Sequence, residues 1–232
     1  MLSLPKRVNI ITGHYGSGKT NLSVNLAFEL RRRGKKVCLV DLDTVNPYFR
    51  AADLTGELEE AGIRVIAPLY ANTNLDIPAL PASIYGVFED TDFTVLLDVG
   101  GDDAGALALG QFSRLILSEN NFEHFYVMNA RRALTQTAEE TVQVLHEIEA
   151  ACHVPVTSLV NNTNLAKETT AETVRASFAF ASEVSRQAGL PLRFTSVREE
   201  LAGGLSADGQ AAADSQTGEI YPVRVYIKTP WD

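Results

Sequence analysis

Lys19 and Thr20 close a glycine-spaced run, Gly13-His14-Tyr15-Gly16-Ser17-Gly18-Lys19-Thr20. Glycines at this spacing let successive backbone N–H groups turn inward around a phosphate. A helix beginning at the same point adds partial positive charge. Lys19 is then placed to reach the β- and γ-phosphates of a nucleoside triphosphate, and the Thr20 hydroxyl to ligate Mg2+. His14, Tyr15 and Ser17 fill the variable positions of this nucleotide-binding loop.

Three carboxylates could complete such a site. Asp41-Leu42-Asp43 ends a second apolar run, and period-two alternation puts both acids on one face, beside the phosphate loop if the two strands are neighbours. A carboxylate there orders Mg2+ or holds an attacking water. Asp98 ends a further apolar run, in LLDVGGDD, and is a second Mg2+ candidate. Gly100-Gly101 lets the following loop pass close to the γ-phosphate, while Asp102 and Asp103 fit a helix cap better than a metal site. Asn161 and Asn162 end another run. Asn both donates and accepts, so either could read an adenine edge, and Asn is equally ordinary in turns.

The elements needed to hold these groups are visible. Val8 to Thr12 is β-branched and apolar and reads as a buried strand, and Leu22, Leu26 and Leu30 recur at helical spacing. Gly34 sits where a helix ends. Further strands are expected at Lys36 to Asp43, Ile63 to Pro68, Phe93 to Val99, Phe125 to Asn129, Val156 to Asn161 and Leu192 to Val197, with a late edge strand at Val223 to Lys228. Thr137 with Glu140, and Thr169 with Glu172, fit capping boxes opening two helices. The alternation predicts a three-layer α/β/α fold with a mainly parallel sheet of about seven strands, as one domain over 1–232. The loops that follow the strands gather along one sheet edge, where open α/β sheets bind ligands.

Composition narrows the function. The 232 residues carry a net charge of −9, which argues against generic nucleic-acid binding or an anionic membrane surface. The basic cluster Arg31-Arg32-Arg33-Gly34-Lys35-Lys36 fits a solvated helix end better than a nucleic-acid site. No secretory or membrane-spanning run is visible, and two isolated cysteines, Cys38 and Cys152, fit a reducing cytoplasm and burial. Arg131-Arg132 follows a strand on the ligand edge and could bind a phosphate, an acidic partner or only water. Asn46 to Arg50 could form a partner or acceptor surface, or pack its aromatics in the core. His124 and His146 read as core or surface fillers.

Taken together, Gly13 to Thr20, Asp41-Leu42-Asp43, Asp98 and Asn161, in that order at strand ends, resemble the MinD/ParA-type nucleotide-binding ATPases, the CobQ/CobB/MinD/ParA superfamily. The resemblance covers roughly Lys6 to Val197. It implies ATP and Mg2+ as ligands. It gives Asp43 the role of positioning the attacking water, Asp98 that of the Walker B acid and Asn161 that of an adenine contact, and it places Thr195 to Arg198 on the other side of the base. The family's signature lysine is replaced here by His14. That lysine acts across a nucleotide-sandwiched homodimer, so its replacement counts against trans-activation and the sandwich dimer, and a homodimer stays an open expectation. No basic amphipathic C-terminal helix of the membrane-targeting kind follows.

The reading that follows is a cytoplasmic, Mg2+-dependent ATP-binding protein that hydrolyses slowly and switches conformation through the loops after Asp43 and Asp98, with an unidentified protein partner. A small-molecule kinase or ligase is one rival, and it would show label from ATP appearing in a small-molecule acceptor. A regulatory module that holds ATP with little turnover is another, and it would show tight binding without single-turnover hydrolysis.

Overall fold

The computed structural model describes residues 6–43, 54–67, 83–101, 103–206 and 218–227. Its eight strands are β1 (Val8–Thr12), β2 (Lys36–Asp41), β3 (Ile63–Ile66), β4 (Phe93–Asp98), β5 (Phe122–Met128), β6 (Ser158–Asn161), β7 (Leu192–Arg198) and β8 (Glu219–Val223). They form one sheet in the order β3-β2-β4-β1-β5-β6-β7-β8, and every pairing is parallel. Parallel strands need crossovers, and the helices supply them. These are α1 (Lys19–Arg32), α2 (Thr55–Glu60), α3 (Ser83–Glu89), α4 (Asp103–Gly110), α5 (Ser113–Glu119), α6 (Ala138–Cys152), α7 (Ala171–Ala188) and α8 (Glu199–Ser206).

Burial on both faces explains why the strand sequences run apolar instead of alternating. Leu22, Leu26 and Leu30 of α1 and Leu58 of α2 pack on one face, against Ile11, Leu39, Leu96, Phe125 and Phe194. Helices α3, α4 and α5 cover the other face over Ile10, Val40 and Leu97. On that same face, α6 and α7 cover Tyr126, Met128 and Leu159. This is the expected α/β/α sandwich, with eight strands in place of about seven. Cys38 and Cys152 are buried and unpaired.

Several local expectations shift. The strand ending at Asp41 does not lie beside β1, because β4 is inserted between them. The capping box at Thr137 is present, its hydroxyl accepting from Glu140 N (3.2 Å) while Glu140 reaches back to Thr137 N (3.1 Å). The second box is displaced by one residue. Thr170 caps α7 with Thr173 as its partner, while Thr169 Oγ1 accepts from Leu165 N (2.8 Å) and donates to Ala166 O (2.7 Å) in the preceding 3-10 turn.

The last strand also differs, running over Glu219–Val223 instead of from Val223 onward. Residues 224–227 are captured by α1. Asn25 Nδ2 donates to Arg224 O (2.8 Å), Arg224 N donates to Asn25 Oδ1 (2.8 Å) and Tyr226 N donates to Asn21 Oδ1 (2.8 Å). Tyr226 stacks on Phe28, 5.0 Å between ring centroids. Lys228 and Pro68 lie outside the described residues, as do Asn46 to Arg50 and Asp102. Asp103 opens α4, in keeping with its reading as a helix-start residue.

The strand order reverses at β1. From there the chain runs outward to β2 and β3, returns to β4, and then crosses to β5 and beyond. Such a switch point opens a crevice at the carboxyl ends of the strands, and the glycine loop after β1 sits in it.

Candidate functional site

The phosphate loop is shaped by backbone conformations that favour glycine. Gly13, Gly16 and Gly18 have φ of 147°, 71° and 91°. A Cβ on Gly13 would lie 2.2 Å from Val127 O, and one on Gly18 would lie 2.2 Å from Asn162 Nδ2. Side chains at these points are excluded by space as well as by φ. The loop closes with Ser17 N donating to His14 O (3.1 Å), and α1 begins directly after Gly18. The α1 N-terminus therefore points its unsatisfied N–H groups into the crevice.

Lys19 is buried, and its Nζ donates to His14 O (3.2 Å), so the ammonium folds back over its own loop. A Cβ on Gly101 would lie 2.8 Å from that Nζ and 2.7 Å from Tyr15 N. The loop after β4 thus presses against the phosphate loop at Lys19, and only a glycine fits there. His14 is half-buried, and its imidazole pKa is lowered by desolvation and then by the nearby Lys19 charge. Both effects favour the neutral imidazole beside Lys19. Tyr15 is exposed.

The carboxylates converge with the loop despite the change in strand order. Asp41 pairs in register with Asp98 across β2 and β4. Asp41 Oδ1 accepts from Asp43 N (2.9 Å), which turns the chain at the end of β2 and leaves Asp43 buried. Asp98 Oδ1 accepts from Ser23 Oγ (3.0 Å), while its Oδ2 is buried with no hydrogen-bond partner among the described residues. Burial raises the Asp98 pKa. Lys19 and the Thr20 and Ser23 hydroxyls oppose that shift, and the Asp43 charge adds to it. An acid held this way is a poorly satisfied anion next to a lysine, a threonine and a second acid. A hard dication would relieve it. Among the described residues no group of three His, Cys, Asp or Glu side chains could hold a metal alone. Mg2+ sites typically take only one or two protein carboxylates and complete their shell with water and phosphate, so Thr20, Asp43 and Asp98 fit that ion.

The other flank is built from amides and hydroxyls. Asn161 is fully buried. Its Nδ2 donates to Ser177 Oγ (2.8 Å) and, more weakly, to Thr195 Oγ1 (3.4 Å), and its Oδ1 accepts from Thr163 N (3.1 Å). Those bonds tie β6 to α7 and β7 and turn the Asn161 amide into the core. Asn162 is half-buried. Its Nδ2 donates to Ser17 O (2.6 Å) and its Oδ1 accepts from Ser196 Oγ (2.6 Å). It therefore links the phosphate loop to β7.

Two contributors carry no signal in sequence. Ser23 occupies the helix turn above Lys19, where a serine is unremarkable. Asn129 is fully buried, and its Oδ1 accepts from Arg131 N (2.9 Å), which shapes the loop after β5. Arg132 on that loop lies across Gly16, with Nε donating to Gly16 O (2.8 Å). Arg131 is exposed.

No described helix is long and apolar enough to cross a membrane. A search of curated proteins returns no relative of this chain. Among solved structures, the chain resembles the cell division protein FtsY from Thermotoga maritima, at 23% identity and TM-score 0.55, over 83% of this chain and 62% of that one. It resembles the chloroplast FtsY from Physcomitrella patens at 20% identity and TM-score 0.55, over 84% and 59% of the two chains. It also resembles the 54 kDa signal recognition particle protein from Aeropyrum pernix, solved with GDP, at 21% identity and TM-score 0.53, over 84% and 42%. The chain spans less than two thirds of each of those proteins, and at these identities the likeness is one of fold. Residues 9–187, well over half of the chain, match the CbiA family model, described as the CobQ/CobB/MinD/ParA nucleotide binding domain. With its phosphate loop seated at the switch point of a parallel sheet, this chain belongs to the CobQ/CobB/MinD/ParA family of P-loop nucleotide-binding domains.

Proposed function

We propose that the chain is a Mg2+-dependent ATPase of low turnover that uses nucleotide as a conformational switch. The observation that carries this is the convergence of Lys19, Gly101 and the partly unsatisfied Asp98 on one phosphate loop. Backbone N–H groups from Gly13 to Thr20 hold the phosphates, and Lys19 exchanges its bond to His14 O for β- and γ-oxygens. Thr20, Asp43 and Asp98 hold Mg2+, which neutralises charge on the phosphate oxygens. Asp43 orients the attacking water. Gly101 brings a backbone N–H to the terminal phosphate, so gain or loss of that phosphate moves the loop after β4.

The base side supports adenine less directly. Asn162 is half-buried where Asn161 is fully buried, which makes it the better placed of the two asparagines to meet a base edge, with Thr195 to Arg198 closing the other side. The GDP in the signal recognition particle structure keeps guanine in the comparison. Titration of the intact protein with ATP, GTP and their diphosphates, with and without Mg2+, tests the reading. ATP should bind more tightly than GTP and need Mg2+, and Lys19→Ala should weaken binding by about 100-fold or more. Equal nucleotide affinity in wild type and Lys19→Ala would remove its basis.

A further inference from the structure

The loop after β5 carries Arg132, a cation bonded to the phosphate loop through Nε alone among the described residues. Its backbone is closely held. Arg131 N donates to Asn129 Oδ1 (2.9 Å), Arg132 N to Asn129 O (3.1 Å), and Thr135 Oγ1 to Asn129 O (3.1 Å). Asn129 is itself fully buried, and Ala130 N donates to Thr163 Oγ1 (3.1 Å). This frame aims Arg132 at the phosphate loop, 116 residues away in the chain. The guanidinium lies against Gly16, where a Cβ would sit 3.2 Å from Nε and 3.3 Å from Cζ. Nε is committed to Gly16 O at 2.8 Å. The two terminal nitrogens make no hydrogen bond or ion pair among the described residues, although arginine carries five donors in a fixed fork.

An arginine held by Nε has its terminal fork pre-oriented, so little side-chain entropy remains to be lost when an anion arrives. Its anchor is the Gly16 carbonyl. Gly16 adjoins Tyr15, and Tyr15 N and Lys19 Nζ both flank Gly101 on the β4 side. Arg132 approaches from the β5 side of the same loop. A terminal phosphoryl group bound by Lys19 would then be flanked from opposite sides by the Gly101 loop and by Arg132.

We propose that Arg132 is an arginine finger supplied within the chain, its terminal nitrogens contacting the terminal phosphate of the bound nucleoside triphosphate. This rests on the nucleotide-binding reading above and adds to it the residue that distinguishes triphosphate from diphosphate. Charge spreading onto the equatorial oxygens during phosphoryl transfer would strengthen the same contact.

The test compares wild type, Arg132→Ala and Arg132→Lys as intact chains with intact melting curves. Each is titrated with Mg2+ and ADP, then with Mg2+ and a non-hydrolysable ATP analogue, and assayed for single-turnover ATP hydrolysis. Arg132→Ala should leave the ADP affinity within about twofold, while analogue affinity or hydrolysis falls by about tenfold or more. Arg132→Lys should recover only part of the loss, because lysine cannot keep the anchor on Gly16 and present a fork. Equal losses for ADP and analogue would overturn the proposal, since Arg132 would then only brace the loop. No change in either would overturn it as well. A wild-type chain that binds no nucleotide would instead overturn the parent reading, and this inference with it.

Discussion

The two flanks of the phosphate loop solve opposite problems. On the side of β4 and β2 lie Asp98, Asp41, Asp43 and Lys19, all ionisable and all buried, with Asp98 Oδ2 making no hydrogen bond among the described residues. On the side of β5, β6 and β7 lie Asn129, Asn161, Asn162, Thr163, Thr195 and Ser196, neutral groups bonded to one another and to the loop. A neutral network satisfied from within is rigid and needs no ligand. A cluster of buried charges that is incompletely satisfied is costly until a ligand completes it. On the proposed reading, the charged flank is where nucleotide and metal would stabilise the fold, and the amide and hydroxyl network of the other flank is the frame that holds the loop and Arg132.

The sharpest attempt to break this comparison is Asp98→Asn, which keeps the shape and removes the charge. The folded-state pKa of Asp98 is raised by burial, so folding disfavours its charged form. A raised carboxyl pKa gives stability that is present at low pH and lost as pH rises through the folded value. At neutral pH the wild-type apoprotein carries that penalty, and the variant does not. Calorimetry should show Asp98→Asn melting higher than wild type without ligand. The variant should also lose about 100-fold in Mg2+-supported nucleotide affinity. A variant that melts lower without ligand would show that the charge stabilises the empty fold, and the comparison would fail.

The neutral flank should titrate with the opposite sign. His124 of β5 is fully buried, and burial pushes its pKa down to about 4 from 6.5. Its Nδ1 lies 3.2 Å from Pro155 O and its Nε2 lies 2.8 Å from Thr12 Oγ1, the last residue before the phosphate loop. Nδ1 therefore donates, and Nε2 accepts from the threonine. A lowered histidine pKa gives stability present above about 6.5 and lost as pH falls through about 4, amounting to about 3 kcal/mol. Urea melts at about pH 7 and about pH 4.5 should show most of that loss in wild type and little of it in His124→Gln. An unchanged acid sensitivity in the variant would mean that other groups set it.

Legibility in the sequence followed how local each constraint is. The glycine loop could be read because its chemistry is a property of consecutive backbone units between one strand and one helix. The places of Asp43 and Asp98 could be read because an apolar run ending in an acid marks a strand end. Which strand lies beside β1 could not be read, since β4 enters from a distant part of the chain. The alternation at Val223 to Lys228 suggested a strand, but Asn21, Asn25 and Phe28 of α1 offer that segment other partners. At Thr169-Thr170 the first threonine was needed by the preceding turn, which moved the cap onto the second. The asparagines were the least legible. Asn161 and Asn162 are adjacent and alike in sequence, and only strand pleat turns one into the core and the other toward Ser17, 145 residues away.

That last distinction yields the smallest and most local prediction. Asn162→Ala removes two 2.6 Å hydrogen bonds and leaves Ser17 O and the buried Ser196 hydroxyl to find other partners. The expected loss is about 1–3 kcal/mol of stability. Nucleotide affinity should fall as well, because the loop loses its tie to β7. A double-mutant cycle then sharpens the case. Gly18→Ala carries the strain of φ at 91° in any background, but its Cβ collides at 2.2 Å with Asn162 Nδ2 alone. Removing that amide removes the collision and leaves the strain. Gly18→Ala should therefore cost measurably less in the Asn162→Ala background than in wild type. Strict additivity of the two changes would mean that Asn162 can swing away from the loop, and the neutral flank would then be adaptable where we describe a fixed frame.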